Sequence, residues 1–330
     1  MPDFSDLWDD INKPQKEDAL DTRRADPNHP LDFSYGKDFH DRYVFCLDSE
    51  SDDSSARRLP QLVGLELNLL PMTEDTCRLV LTLKDKEFND LFGTLTADLM
   101  RMTEQLSRRD SGAMEMVVSR LLRWQEMLEK AHSKVLSQSK IIGLIGELLF
   151  LRDLMLPVLS ANDVIHSWRG PYGDEQDFLL GGGIVEIKTQ LSTSDEYLTI
   201  SSENQLDTSS GPIMICHQTL YVPSTQEAGA TSLNGIVTQL VEQISKVDAA
   251  ASQQFSLALI EVGYIKKEEY DRPLYLLNTR SFLEVVEGFP RLSAADIPEG
   301  VNRVRYRVSL QSCKKFELDE VAAKEWIFNV

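Results

Sequence analysis

The chain has 330 residues, enough for two domains or for one domain with an added layer, and 53 acidic against 34 basic residues leave a net charge of -19. That balance argues against a freestanding DNA binder, which needs a basic surface, so any DNA path must be local. No apolar run approaches the roughly 20 residues that span a bilayer, the acidic N-terminus is unlike an export signal, and Cys46, Cys77, Cys216 and Cys313 stand far apart without a CxxC pair, so we expect a cytoplasmic protein with reduced thiols and no membrane contact.

Residues 1–40 read as an acidic N-terminal arm docked through Phe4, Trp8, Phe33 and Tyr35. Residues 41–110 read as a small α+β unit, with strand-period segments at 42–48, 61–69 and 77–85 in an antiparallel meander and a helix over 88–106. The remainder, 111–330, opens with a helix over 113–134, where Met114, Val117, Val118, Leu121, Trp124 and Leu128 form an apolar core stripe. The helix over 138–156, containing GLIGELLFLRDL, is apolar nearly all round, and Glu147 is the only acid between Ile141 and Leu151. VIHSW at 164–168 is strand-like, followed by the loop RGPYGDEQ, a strand DFLL, a glycine turn at 181–183 and a strand IVEIKTQL. YLTISS predicts a strand running into a short helix around Asn204 and Gln205, and PIMICHQTLYV predicts another strand at 212–222. Helices near 231–246 and 248–256 and strand-like LYLLN, VRYRVSL and FELD segments complete an α/β (α+β) pattern with a mixed sheet flanked by helices.

Because side chains alternate along a strand, Glu186 and Lys188 share one face of IVEIKTQL while Val185 and Ile187 take the other. A carboxylate and an ammonium thus stand one pleat apart, and the preceding strand would bring Asp177 to the same sheet end if the hairpin register allows. Two or three carboxylates with an adjacent ammonium suffice to hold Mg²⁺, or Mn²⁺ in its place, and such an ion can activate water and neutralise a phosphodiester. The plainer alternative is a solvated charge pair on an exposed strand. Asp174 or Glu175 could replace Asp177 if the register slips, and His166 and His217 are expected to be packed or hydrogen-bonded.

An acid beginning a short apolar strand, followed by E-x-K on the next, resembles the PD-(D/E)XK restriction-endonuclease-like superfamily. The order GLIGEL, W-x-G-P, D-F, E-I-K-T and I-S-S-x-x-Q-L is similar to one PD-(D/E)XK family of bacterial restriction and defence operons, most closely over 115–206. The resemblance implies a restriction-endonuclease-like core with Asp177 and Glu186 as metal ligands and the Ile187 carbonyl as a backbone ligand. It further implies that Lys188 acts on the attacking water or the transition-state charge, that Glu147 is the helix-borne acid reaching the metal shell, and that Gln205 positions substrate. Gln176 stands where the motif's proline would be.

The function so implied is a Mg²⁺-dependent DNA endonuclease, the cleavage component of a restriction-like or antiphage system; the alternative is a non-catalytic nuclease-fold scaffold subunit, and a repair setting would share the same chemistry. Local basic runs offer a DNA path: Arg101, Arg108 and Arg109; Arg120, Arg123, Lys130, Lys134 and Lys140; and Arg303, Arg305 and Arg307, which alternation would set on one strand face. The acidic balance points to a partner that loads DNA, and the resemblance suggests a methyltransferase or helicase-like ATPase. Homodimerisation would suit double-strand cutting, though no residue pattern requires it.

Overall fold

The computed structural model describes residues 6–50, 59–73, 75–107, 110, 112–132, 135–225, 227–293 and 296–329. The chain divides into two compact units, Met1–Lys134 and Val135–Val330. The helix expected to open the second domain is therefore part of the first unit, because its apolar stripe, Val117, Val118, Leu121, Trp124 and Leu128, is buried there.

The first unit is built on a five-stranded sheet of β1 (Leu20–Arg24), β2 (Asp32–Asp38), β3 (Tyr43–Glu50), β4 (Leu65–Pro71) and β5 (Thr76–Leu83). Its order, β1-β2-β3-β5-β4, is antiparallel throughout, so β5 separates β3 from β4 and the expected simple meander is corrected. The supposed arm is not an arm: residues 20–24 and 32–38 are sheet strands, and Trp8 is buried against Tyr35, Tyr43 and Phe92 while its indole N–H donates to the Val44 carbonyl at 2.9 Å. Phe4 lies outside the described residues. Two helices follow, α1 (Asn89–Thr103) and α2 (Ala113–His132). Between them Asp98, buried at 2% exposure, accepts from Arg120, Arg101 and the Trp124 indole. Burial pushes the Asp98 carboxyl up, but Arg120 and Trp124 outweigh it and hold it below the usual carboxylate range. Arg101 and Arg120 thus neutralise an internal acid rather than forming a DNA path; Arg108, Arg109, Lys134 and the side chain of Lys130 lie outside the described residues.

In the second unit α3 (Gln138–Phe150) starts at Ser137, whose hydroxyl accepts from the Lys140 N–H, and runs on as a π-helical turn, Leu151–Met155. VIHSW is helical rather than a strand: α4 (Ala161–Ser167) is capped by Ser160, and its Val164 and Ile165 side chains enter the core on one helix face. The β-branched composition that suggested a strand is overridden by this packing. The central sheet contains β6 (Phe178–Leu180), β7 (Gly183–Leu191), β8 (Ile213–Tyr221), β9 (Leu276–Val285) and β10 (Glu317–Leu318), in the order β10-β9-β8-β7-β6. It is mixed: β7 and β8 run parallel, while the other neighbours are antiparallel. A separate ribbon pairs Tyr197–Ile200 with Tyr306–Ser309. Arg303 and Arg305 precede that ribbon strand and only Arg307 lies in it, so the three arginines do not share a strand face; Arg307 pairs with Asp195 and stacks on Tyr197.

The alternation along β7 and β8 gives the sheet two apolar faces. Val185, Ile187, Met214, Cys216 and Leu220 pack under α3, α4, α5 (Leu233–Ser245) and α6 (Ala249–Glu261), whereas Ile184, Ile213 and Ile215 pack with Leu198, Ile200 and Val308 of the ribbon. Helix α3 approaches β7 so closely that a Cβ at Gly146 would stand 1.7 Å from the Thr189 hydroxyl oxygen. All four cysteines are buried and free. The described residues include no helix long and apolar enough to cross a membrane. The mixed sheet flanked by helices is the α+β arrangement expected of a restriction-endonuclease-like core.

Candidate active site

The hairpin register decides where Asp177 stands. β6 and β7 pair Leu180 with Gly183 and Phe178 with Val185, so one more step sets Asp177 opposite Glu186. With Val185 and Ile187 committed to the helix-covered core, Glu186 and Lys188 must take the other face of β7. Asp177 is fixed further by its backbone carbonyl, which accepts from the N–H groups of Arg169 at 2.7 Å and Gly170 at 3.2 Å. Its side chain accepts from the Ile187 N–H at 2.7 Å. In an extended strand a residue's N–H and C=O point to the same edge, so the Ile187 carbonyl faces the Asp177 side, beyond the end of the β6 ladder.

Glu147 reaches the same place from α3. Its carboxylate accepts the buried Trp168 indole N–H at 2.7 Å. Gly170 lies between the two acids: a Cβ there would stand 3.2 Å from an Asp177 carboxylate oxygen and 3.4 Å from the same Glu147 oxygen that Trp168 binds. A methyl there would crowd the Asp177 carboxylate, which would have to give by a few tenths of an ångström, and would touch Glu147. Trp168 and Gly170 form part of the W-x-G-P stretch, which served as a landmark in the sequence without an assigned role.

The Lys188 ammonium donates to Glu186 at 2.9 Å and to the Gln205 side-chain carbonyl at 2.8 Å. Glu186 is buried at 1% exposure, whereas Asp177, Glu147 and Lys188 keep partial exposure, which leaves the cluster open on their side. Burial is the main influence on all three carboxyls. Glu186 is pushed up to about 8, with the Asp177 charge adding to burial and Lys188 and the Asp177 amide opposing it. Asp177 is raised to about 6 by burial against the Ile187 N–H and the Lys188 charge. Glu147 is held well above the carboxylate range by burial and by Asp177, against the Trp168 hydrogen bond.

One oxygen of Glu186, Oε2, is buried without a hydrogen-bond partner, an expensive arrangement for a carboxylate unless it is protonated or binds a cation. Among the described residues no three Asp, Glu, His or Cys side chains are placed to grip one ion directly. Asp177 and Glu186, with the Ile187 carbonyl and waters, could hold an oxygen-seeking divalent ion such as Mg²⁺, which retains part of its hydration.

The competing acids are engaged elsewhere. Asp174 pairs with Arg169 at 2.7 Å, and Glu175 accepts from Ser202 and from Asn204 at 3.0 Å. His166 is exposed on α4, where its ring bonds the Asn162 carbonyl at 2.8 Å. His217 is buried and pairs in register with Lys188 on the neighbouring strand; burial lowers its pKa, and its Nε2 has no partner.

A family model described as "Putative PD-(D/E)XK family member, (DUF4420)" matches residues 4–311. No curated protein and no solved structure matches the chain.

Proposed function

The chain belongs to this DUF4420 family of PD-(D/E)XK type, and from that premise we propose that it is a metal-dependent nuclease that hydrolyses DNA phosphodiester bonds. The observation that carries the reading is the meeting of Glu147, Asp177, Glu186 and Lys188 in one cluster, in which Glu186 Oε2 is buried and unpartnered. A Mg²⁺ or Mn²⁺ ion held by Asp177, Glu186 and the Ile187 carbonyl would neutralise the phosphate and make water a stronger nucleophile. Lys188 has three N–H donors; Glu186 and Gln205 take two, and the third serves the attacking water or the phosphoryl oxygen. Burial and the Asp177 charge raise the Glu147 carboxyl and shift it towards its neutral form, in which it could donate a hydrogen bond within the cluster. Trp168 fixes the orientation of that carboxyl.

The proposed setting is the cleavage subunit of a restriction-like or antiphage system. Asp174, Glu175 and Asp207 line the depression beside the site, and the whole chain carries -19, so phosphate is repelled at the rim and a partner that delivers DNA is favoured. A second reading, a nuclease-fold scaffold without activity, draws on the lack of a ready three-side-chain ion site among the described residues. Incubating supercoiled plasmid with purified protein and Mg²⁺ or Mn²⁺ separates the two. The nuclease reading predicts nicking or linearisation that Asp177→Ala and Lys188→Ala abolish. Wild type and variants that behave alike, both here and in phage protection assays with the neighbouring genes present, would favour the scaffold.

A further inference from the structure

Gln205 matched a substrate-positioning residue, but its side-chain oxygen is fully used inside the protein and one of its two amide N–H groups is taken as well. Its carbonyl oxygen accepts from the Lys188 ammonium at 2.8 Å and from the Ser201 N–H at 2.9 Å, and its amide nitrogen donates to the Glu175 carbonyl at 3.4 Å. The two donors at one end and the acceptor at the other fix which end is oxygen, so the amide cannot turn over without losing all three bonds. The turn that carries it is tied down on both sides. Glu175 accepts from Ser202 and Asn204, and Gln176 donates to the Asn204 carbonyl at 3.3 Å. On the other side Glu203 accepts from the N–H groups of Arg303 at 3.1 Å and Val304 at 2.8 Å, while Arg291 bonds the Leu206 carbonyl and, at 2.9 Å, the Thr208 hydroxyl.

An ammonium on a four-carbon stem is a mobile donor, and Glu186 alone would leave it free to rotate about a single bond. A second, rigid acceptor fixes the direction of the third N–H. We propose that Gln205 is a positioning residue for Lys188, and that the hydrogen-bonded turn 201–208, anchored by Glu175 on the loop before Asp177, is the device that aims the Lys188 ammonium. The proposal rests on the nuclease reading for the purpose of the aiming, but the clamp itself can be tested without cleavage. It gives the separated stretches GDEQD and ISSENQL one joint role, for which the sequence shows no signal beyond their order.

The test compares wild type, Gln205→Met, which keeps length and loses both polar ends, and Glu175→Gln, an exposed change that loosens the anchor. Each is exposed to a trace of acetic anhydride, and acetylation of Lys188 is followed by mass spectrometry against the exposed Lys140 as internal standard. The clamp predicts about tenfold faster Lys188 labelling in Gln205→Met, the factor expected from losing one hydrogen bond to a charged group, and a smaller rise in Glu175→Gln, with both variants still folded and melting cooperatively. Plasmid cleavage supplies the second readout: kcat falls in both variants while KM and the Mg²⁺ dependence stay put, whereas a substrate-binding Gln205 would move KM. Equal Lys188 labelling in wild type and Gln205→Met overturns the proposal, whether or not the protein cuts DNA. Faster labelling in Gln205→Met, with a wild-type protein that neither cuts plasmid nor protects against phage in the presence of the neighbouring genes, supports the clamp while refuting the nuclease reading.

Discussion

Replacing Glu186 by Gln should flatten the dependence of stability on pH. Burial, reinforced by the Asp177 charge, raises the Glu186 carboxyl from its ordinary 4.5 to about 8. The folded chain then keeps a proton that the unfolded chain releases. The associated stability is complete below about pH 4.5 and is lost as pH rises towards 8. At 1.36 kcal/mol per unit of difference in pKa, the cost of Glu186 grows by about 2 kcal/mol between pH 5 and pH 7. For a unit of this size that corresponds to about 4–8 °C in Tm. Melts of wild type and Glu186→Gln in EDTA at pH 5, 6 and 7 measure it directly. The wild-type Tm should drop relative to the variant by that amount as pH rises. Parallel curves would refute the claim that the buried cluster, rather than solvent, sets the charge of Glu186.

The same proton bookkeeping bears on metal. Because burial also raises Asp177 to about 6, an ion must displace protons from the pair, and apparent Mg²⁺ or Mn²⁺ affinity should climb from pH 6 to pH 8 by up to about tenfold per unit; a pH-independent affinity would contradict this. Trp168→Phe keeps an aromatic ring but leaves a cavity and strands the Glu147 oxygen, so urea unfolding should show a loss of at least about 1–3 kcal/mol, and an unchanged midpoint would mean that water replaces the indole. Gly146→Ala drives a methyl into Thr189 and should destabilise by about 1–3 kcal/mol in the same assay, with the cost absent if α3 simply shifts outward. In the first unit, Asp98→Asn leaves Arg101 and Arg120 facing a neutral amide in a buried position, and a loss of about 3–5 kcal/mol should appear in its unfolding transition.

The second unit's hairpin was largely legible from its sequence. Period-two alternation assigns Glu186 and Lys188 to one face before any coordinates, and burial of Val185 and Ile187 is what enforces that assignment. The placement of Asp177 was not legible, because register depends on how the glycine turn closes, which spacing does not specify. VIHSW misled because its β-branched residues satisfy a helix face as well as a strand. The N-terminal strands were missed because LDTRR, polar and half-exposed on a sheet edge, carries no hydrophobic period. Basic runs were equally deceptive: nothing local distinguishes an arginine that awaits phosphate from Arg120, whose partner Asp98 lies 22 positions away.

The account stands on one ion site built from Asp177 and Glu186. Crystals grown with Mn²⁺ and measured at an energy where manganese scatters anomalously locate any bound ion without relying on activity. A single anomalous peak within bonding distance of the Asp177 and Glu186 carboxylates, lost in Asp177→Asn, is the predicted result. Manganese bound only elsewhere, or no peak at saturating Mn²⁺ at pH 8, would contradict the metal-dependent nuclease.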